Sequence, residues 1–266
     1  MVFLSKTTMK LPQLFFTLGL LFPGIPMTSL LAQAAEAPAA SDPAAKPAAS
    51  EEGKTEPKPN KPAIKQLSET EFELGQIWFN GKTREVRIPA LVNATGDRDI
   101  IEYVLVHEGG KTHESLLKTP ISPLDLQVVL KLLSFKTGNG NLFDNFNPPG
   151  ALPDPQPLGD AIDVFVTWPG ADENPICSLI RDFGLDETME NIPWNYNGSE
   201  IIKGVFQAET EGSIISLYLD TLAMFNLGHP RAGDDENWFP ISTSIPAYET
   251  AVTVILRPAA AEVDAD

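Results

Sequence analysis

One cysteine and three histidines are all this chain has of the residue types that most often hold metals or act as nucleophile and base. The lone Cys177 cannot close an internal disulfide, so the fold must be held by its core rather than by cross-links. A free thiol of this kind is expected to pack as a small hydrophobe. The usual ligand spacings are missing too. There is no His-Glu-x-x-His, no Cys-x-x-Cys, no EF-hand loop, and no Gly-x-Ser-x-Gly turn to expose a nucleophilic serine. Positive charge is scarce: 19 Lys and Arg stand against 36 Asp and Glu, a formal charge of −17. Nucleic acid is therefore not an expected partner, because binding would work against like-charge repulsion instead of gaining from counterion release. No cofactor is expected.

What is present begins with an export signal. Lys6 and Lys10 make a basic start, Leu11 to Leu31 is largely apolar, and Ala32-Gln33-Ala34 fits a small-residue cleavage site, so residues 1–34 read as a signal peptide. Pro12, Pro23 and Pro26 interrupt the apolar run, and no stop-transfer flank follows. The reading is a cleaved signal, with no transmembrane segment left afterwards. The mature chain is expected to begin at Ala35, to lie in the periplasm or outside the cell, and to carry −19 once Lys6 and Lys10 are gone from the total of −17. Residues 35–66 are rich in Ala, Pro, Lys and Glu, with little that is large and apolar, and read as a disordered linker. Residues 67–258 are enough for one domain with a substantial core. An acidic tail, 259–266, ends the chain.

Within the domain, periodicity predicts strands more often than helices. Phe72 to Phe79 and Thr83 to Val92 flank Asn80-Gly81, a type I′ hairpin signal, with Val86, Ile88, Ala90 and Val92 on one face. Ile100 to His107 is apolar enough for a central strand. Gly109 and Gly110 supply positive φ for a reversal that brings Thr112 to Leu117 back beside that strand or across its end, and His113 near His107. Ser122-Pro123-Leu124-Asp125 is a helix start, with Leu126, Val129, Leu130 and Leu133 at core spacing and Val128 and Leu132 widening the stripe to about Phe135. The segment from Thr137 to Gly159 reads as a long irregular connection. Ala161 to Trp168 is a strand with Ile162, Val164, Val166 and Trp168 on one face, and Pro175 to Phe183 is ambiguous between strand and short helix. Ile201 to Glu209 and Ser213 to Leu219 read as a hairpin about Glu211-Gly212, and Tyr248 to Arg257, with Val252, Val254 and Leu256 alternating, is the last strand of the chain. The expected fold class is α+β: a mainly antiparallel sheet with one principal helix, residues 123–135, packed on it.

Three sets of residues are candidates for function. His113, Glu114 and Ser115 offer a base, an acid and a hydroxyl, but neighbours on an extended chain point to opposite faces, so His113 and Ser115 can share a face only without Glu114. A hydrolase or metal-dependent enzyme would use this run. His107, His113, His229, Asp234 and Asp235 are the metal-ligand candidates, without a recognised spacing. Trp78, Trp168, Trp194 and Trp238 lie near strand ends or loops, where an exposed indole stacks on a sugar or a peptide side chain, although tryptophan more often fills the core.

Several separated pieces together resemble the YdjY-like domain family. They are Gly110-Lys111-Thr112-His113-Glu114-Ser115, the helix after Ser122, Pro148-Pro149-Gly150 ahead of the strand ending at Trp168, Trp194-Asn195-Tyr196-Asn197-Gly198-Ser199, Glu211-Gly212-Ser213-Ile214-Ile215-Ser216, and Ile245 to Pro258. The resemblance implies an exported bacterial protein and supplies no reaction. Relatives commonly carry a Cys-Pro pair before the Lys-x-His-Glu-Ser run. Val106-His107 stands there in this chain, so no role of that cysteine carries over, and Cys177 is not its equivalent. The functional expectation is a non-catalytic binding or envelope-associated module for a protein, glycan or small-molecule ligand.

Overall fold

A computed structural model describes residues 63–138 and 158–260. The signal, most of the linker, most of the acidic tail and the proline-rich stretch about Pro148 lie outside the described residues. The chain forms β1 (Ile64–Gln66), β2 (Glu71–Leu74), β3 (Ile77–Asn80), β4 (Val86–Val92), β5 (Tyr103–His107), β6 (Ser115–Thr119) and helix α1 (Pro123–Leu132). It continues through β7 (Ala161–Thr167), β8 (Ile180–Asp182), β9 (Trp194–Tyr196), helix α2 (Gln207–Glu211), β10 (Ser213–Ser216), β11 (Phe225–Leu227), β12 (Trp238–Pro240) and β13 (Ala251–Pro258). The first strand reaches back into the segment whose composition reads as linker.

The strands do not make the open sheet expected. Eight of them pair in the order β4-β13-β7-β9-β11-β10-β5-β6, and β6 then pairs with β4 at Leu91↔Lys118 and Val92↔Leu117, so the sheet closes on itself as a barrel. The α+β expectation is thereby corrected to a mostly-β closed barrel. Alternation explains its wall: Val86, Ile88, Ala90 and Val92 on β4, Ile162, Val164 and Val166 on β7, and Val252, Val254 and Leu256 on β13 all point inward and are buried. β5, by contrast, is buried on both faces from Tyr103 to Val106.

A closed barrel leaves its ends for a helix to cover, and α1 lies over the end where β4, β7 and β10 begin. Arg84, just before β4, donates from Nε to the Leu133 carbonyl (3.0 Å) and from Nη2 to Asp160, just before β7 (2.8 Å). Tyr196, the last residue of β9, donates to the Gln127 side chain on α1. Glu209 of α2, which leads into β10, accepts from Ser122 Oγ and from the Leu124 N–H, both 2.9 Å. The helix starts as predicted, with Ser122 accepting the Asp125 N–H. It stops earlier than predicted because Ser134 takes a left-handed φ of 58° and ends it. Leu126, Val129 and Leu130 are buried, but Val128 and Leu132, expected in the core, are 40% and 52% exposed.

Two other expectations fail for local reasons. Phe72 to Phe79 is not one strand, because Gly75 adopts φ 60° and folds it into the β2–β3 hairpin. Glu211-Gly212 is no hairpin turn either; Gly212, with φ 74°, caps α2. The ambiguous run holds both forms, a 3-10 turn at Ile176–Leu179 followed by β8. The far end of the barrel is covered by β8 paired with β12, and the expected core role of Trp238 holds there. Arg231 Nε stands 3.0 Å from the buried Asp182 Oδ2, an ionic contact without hydrogen-bond alignment.

Candidate functional site

One concavity is on the outer wall of the barrel, where β4 forks. Its first half pairs with β3 (Trp78↔Arg87, Phe79↔Val86), and its second half pairs with β6. Pro89 sits at the fork. Its carbonyl accepts Thr119 Oγ1 at 2.6 Å, so its missing N–H also faces the fork and the ladder to β13 stays whole. The two neighbours diverge there and leave a groove of about 600 Å³. Pro89 and Leu91 of β4, Ala251 and Thr253 of β13 and Thr167 of β7 line it, with Trp168-Pro169 at one side. Gln76, Glu108 and Pro120 reach it from three further segments. Trp168 was expected on the inner face of its strand. It stands just past the end of β7, half-buried, where it packs against the hydrophobic core and also lines this groove.

Below the groove the same wall is charged. Arg257 Nε donates to Glu85 (2.8 Å) and its Nη2 to Glu173 (2.7 Å), while Arg87 Nε donates to Glu85 (2.6 Å). Burial pushes the Glu85 carboxyl up, but the bonds from Arg257 and Arg87 outweigh it and leave the pKa below its ordinary value. The charges of this lattice pair with one another.

A second, more polar depression of about 410 Å³ opens beside His113, lined by Asn93, Ala94, Asp99, Ile100, Thr112 and Tyr248. The His113 side chain is 79% exposed, and its Nε2 meets only Glu114, at 3.5 Å. Glu114 leans toward Glu102, whose pKa is raised by burial first and then by the charges of Glu114 and Asp235. Ser115 is fully buried and donates its hydroxyl to the Leu117 carbonyl at 2.6 Å. His113 lies in a 3-10 turn, Thr112–Glu114, and Ser115 in a strand, so the face expected to be common to them does not form.

His107 and His113 are not brought together. β5 and β6 are parallel, with Tyr103↔Ser115 and His107↔Thr119 in register, so His107 lies at the opposite end of β5 from the His113 turn. At about 3.3 Å per residue, the four steps of β5 span roughly 13 Å. The Nδ1 of His107 accepts the Gly109 N–H at 3.0 Å. Asp234 and Asp235 are exposed, and Asp234 accepts the Glu236 N–H. Among the described residues no group of three or more His, Cys, Asp or Glu is placed to hold a metal ion. Cys177 is buried; its thiol donates to Asn191 Oδ1 at 3.3 Å, and burial pushes its pKa up.

His229 is buried edge-on to Trp238 and accepts the Arg231 N–H on Nδ1 at 3.0 Å. Burial holds its pKa below the ordinary 6.5, although the charges of Asp182 and Glu190 pull the other way. The folded state therefore takes up this proton less readily than the unfolded chain. The contribution of neutral His229 is complete above about pH 6.5 and is lost as pH falls below that through the folded pKa. Melting midpoints of wild type are expected to fall more steeply between about pH 7 and 5 than those of His229→Gln. Equal slopes would remove His229 from this role.

Of the groove residues, only Trp168 was a candidate from sequence. Gln76, Glu108 and Pro120 carry no local signal, whereas Pro89 in the middle of a clean alternating strand does mark a place where pairing must change.

A family model for the YdjY domain matches residues 77–257, a span that takes in the eight barrel strands up to the last residue of β13. The chain belongs to the YdjY domain family. No curated protein and no solved structure matches it.

Proposed function

We propose that this YdjY-domain protein is an exported, non-catalytic binding module that holds a glycan in the groove beside Trp168. One observation carries the reading: a half-buried indole lines the same groove as Pro89, Leu91 and Pro120, while Gln76, Glu108 and Thr253 bring hydrogen-bonding groups to that space. A sugar ring presents that combination, an apolar face ringed by hydroxyls. The hydrolytic alternative draws less support, since the Ser115 hydroxyl is committed to Leu117 and lies away from His113.

A glycan array probed with wild type and Trp168→Ala tests the site. The variant is expected to lose at least about tenfold in affinity for whatever wild type retains while still unfolding in one cooperative transition, at a lower midpoint because Trp168 also packs against the core. Retention of no glycan, or equal binding by the variant, would sink the proposal. Export is read separately, from the N-terminus of protein recovered outside the cytoplasm. Ala35 is the expected first residue, and an intact Met1 would refute cleavage.

A further inference from the structure

Helix α1 is apolar on two sides. Leu126, Val129 and Leu130 face the core, while Leu124, Val128 and Leu132 are 48%, 40% and 52% exposed. Those three are spaced four residues apart and form one stripe. The small hairpin Ile201–Ile202 with Val205–Phe206 leads directly into α2, whose Glu209 caps the start of α1, so it flanks the same end of the barrel. It exposes Ile201, Ile202 and Val205. These six account for half of the large apolar residues exposed among the described ones. A helix with apolar residues on opposite sides is a buried helix, and such a patch marks an interface.

We infer that a second copy of this chain covers the face, through a two-fold axis passing beside Val128. Two features select a copy of the same chain. The stripe is symmetric about Val128, so an antiparallel pairing sets Leu124 against Leu132 of the second copy, and the reverse, as an isologous contact requires. The charges agree. The start of α1 carries Asp125 and Glu209, and its end carries Lys131 and Lys136. Antiparallel pairing lays the acidic end of each helix on the basic end of the other, whereas a parallel pair would stack like charges. Ridges formed by residues four apart favour such side-by-side packing. The inference is independent of the groove, which lies on the barrel wall.

Sedimentation velocity of the purified chain as its host produces it, over a wide range of concentration, tests this. Wild type is expected to show a monomer–dimer equilibrium. Val128→Glu, at an exposed position where the monomer's folding is not at stake, should weaken it at least about tenfold. Lys131→Glu should also weaken it, most at low salt, and Asp125→Lys added to Lys131→Glu should recover part of the loss. A wild type that stays monomeric throughout would overturn the inference, as would a dimer indifferent to Val128→Glu. So would binding to lipid vesicles without self-association, which would assign the face to a membrane surface.

Discussion

Replacing Asp220 by Ala is expected to cost about 3–5 kcal/mol of stability, among the largest effects of any single substitution in this domain. Asp220 is only 9% exposed. Its Oδ2 accepts the Tyr103 hydroxyl at 2.8 Å, and its Oδ1 accepts the Leu222 N–H at 2.8 Å. Lys111 Nζ donates to the same Tyr103 oxygen at 2.6 Å and stands 3.6 Å from the carboxylate. Burial and then the Asp220 charge raise the Tyr103 pKa far above its usual range, so the phenol stays a donor. Truncation to Ala leaves that hydroxyl and a backbone N–H without partners, with a lysine facing them. Asp220→Asn keeps both acceptor positions and should cost clearly less. Urea unfolding of the two variants reads the difference, and a loss below about 1 kcal/mol for Asp220→Ala would show that the network is not what holds these loops.

A comparable loss, about 1–3 kcal/mol, is expected for Gly110→Ala, and under about 1 kcal/mol for Gly109→Ala. The two adjacent glycines were both expected to provide positive φ, yet neither has it. Gly110 is needed for space. A Cβ there would stand 2.7 Å from the Glu211 carbonyl oxygen, 3.0 Å from the Gly212 Cα and 3.2 Å from the His107 carbonyl oxygen, all of them backbone atoms. At Gly109 the nearest atoms, at 3.2 and 3.5 Å, belong to the His107 ring, which can turn aside. Equal urea midpoints for the two variants would refute close approach as the reason for Gly110.

These two networks show why part of the fold could be read in the sequence and part could not. Wherever a strand alternates cleanly, as in β4, β7 and β13, the buried face was legible from residue order alone, and so was the start of α1 from Ser122-Pro123. Parallel pairing of β5 with β6, and of β10 with β11, was not. Each pair is joined by a connection, 108–114 or 217–224, much shorter than the dozen or more residues a parallel crossover usually takes. The two connections support each other through Lys111 and Asp220, far apart in the chain, so neither carries a local signal. Closure is likewise a decision between β4 and β6 that no periodicity records. The outward stripe of α1 looked like core because Val128 and Leu132 are apolar at core-compatible positions, and composition cannot say which apolar side meets the barrel. At the groove, the indole of Trp168 was visible, but the segments that complete the walls come together only when the ring closes.

The place of β13 in that ring has a consequence for how the molecule comes into being. Between β4 and β7 it makes six residue pairs on either side, Ala251↔Leu91 through Leu256↔Val86 and Thr253↔Thr167 through Pro258↔Ile162. It is also the last barrel strand to be synthesised. A nascent chain that has not yet produced it has β4 and β7 as two open flanks with no neighbour in common, and no subset of the earlier strands can complete the circle. Closure therefore waits for β13: until that strand has been made the circle stays open, and its long-range pairings are among the last to form.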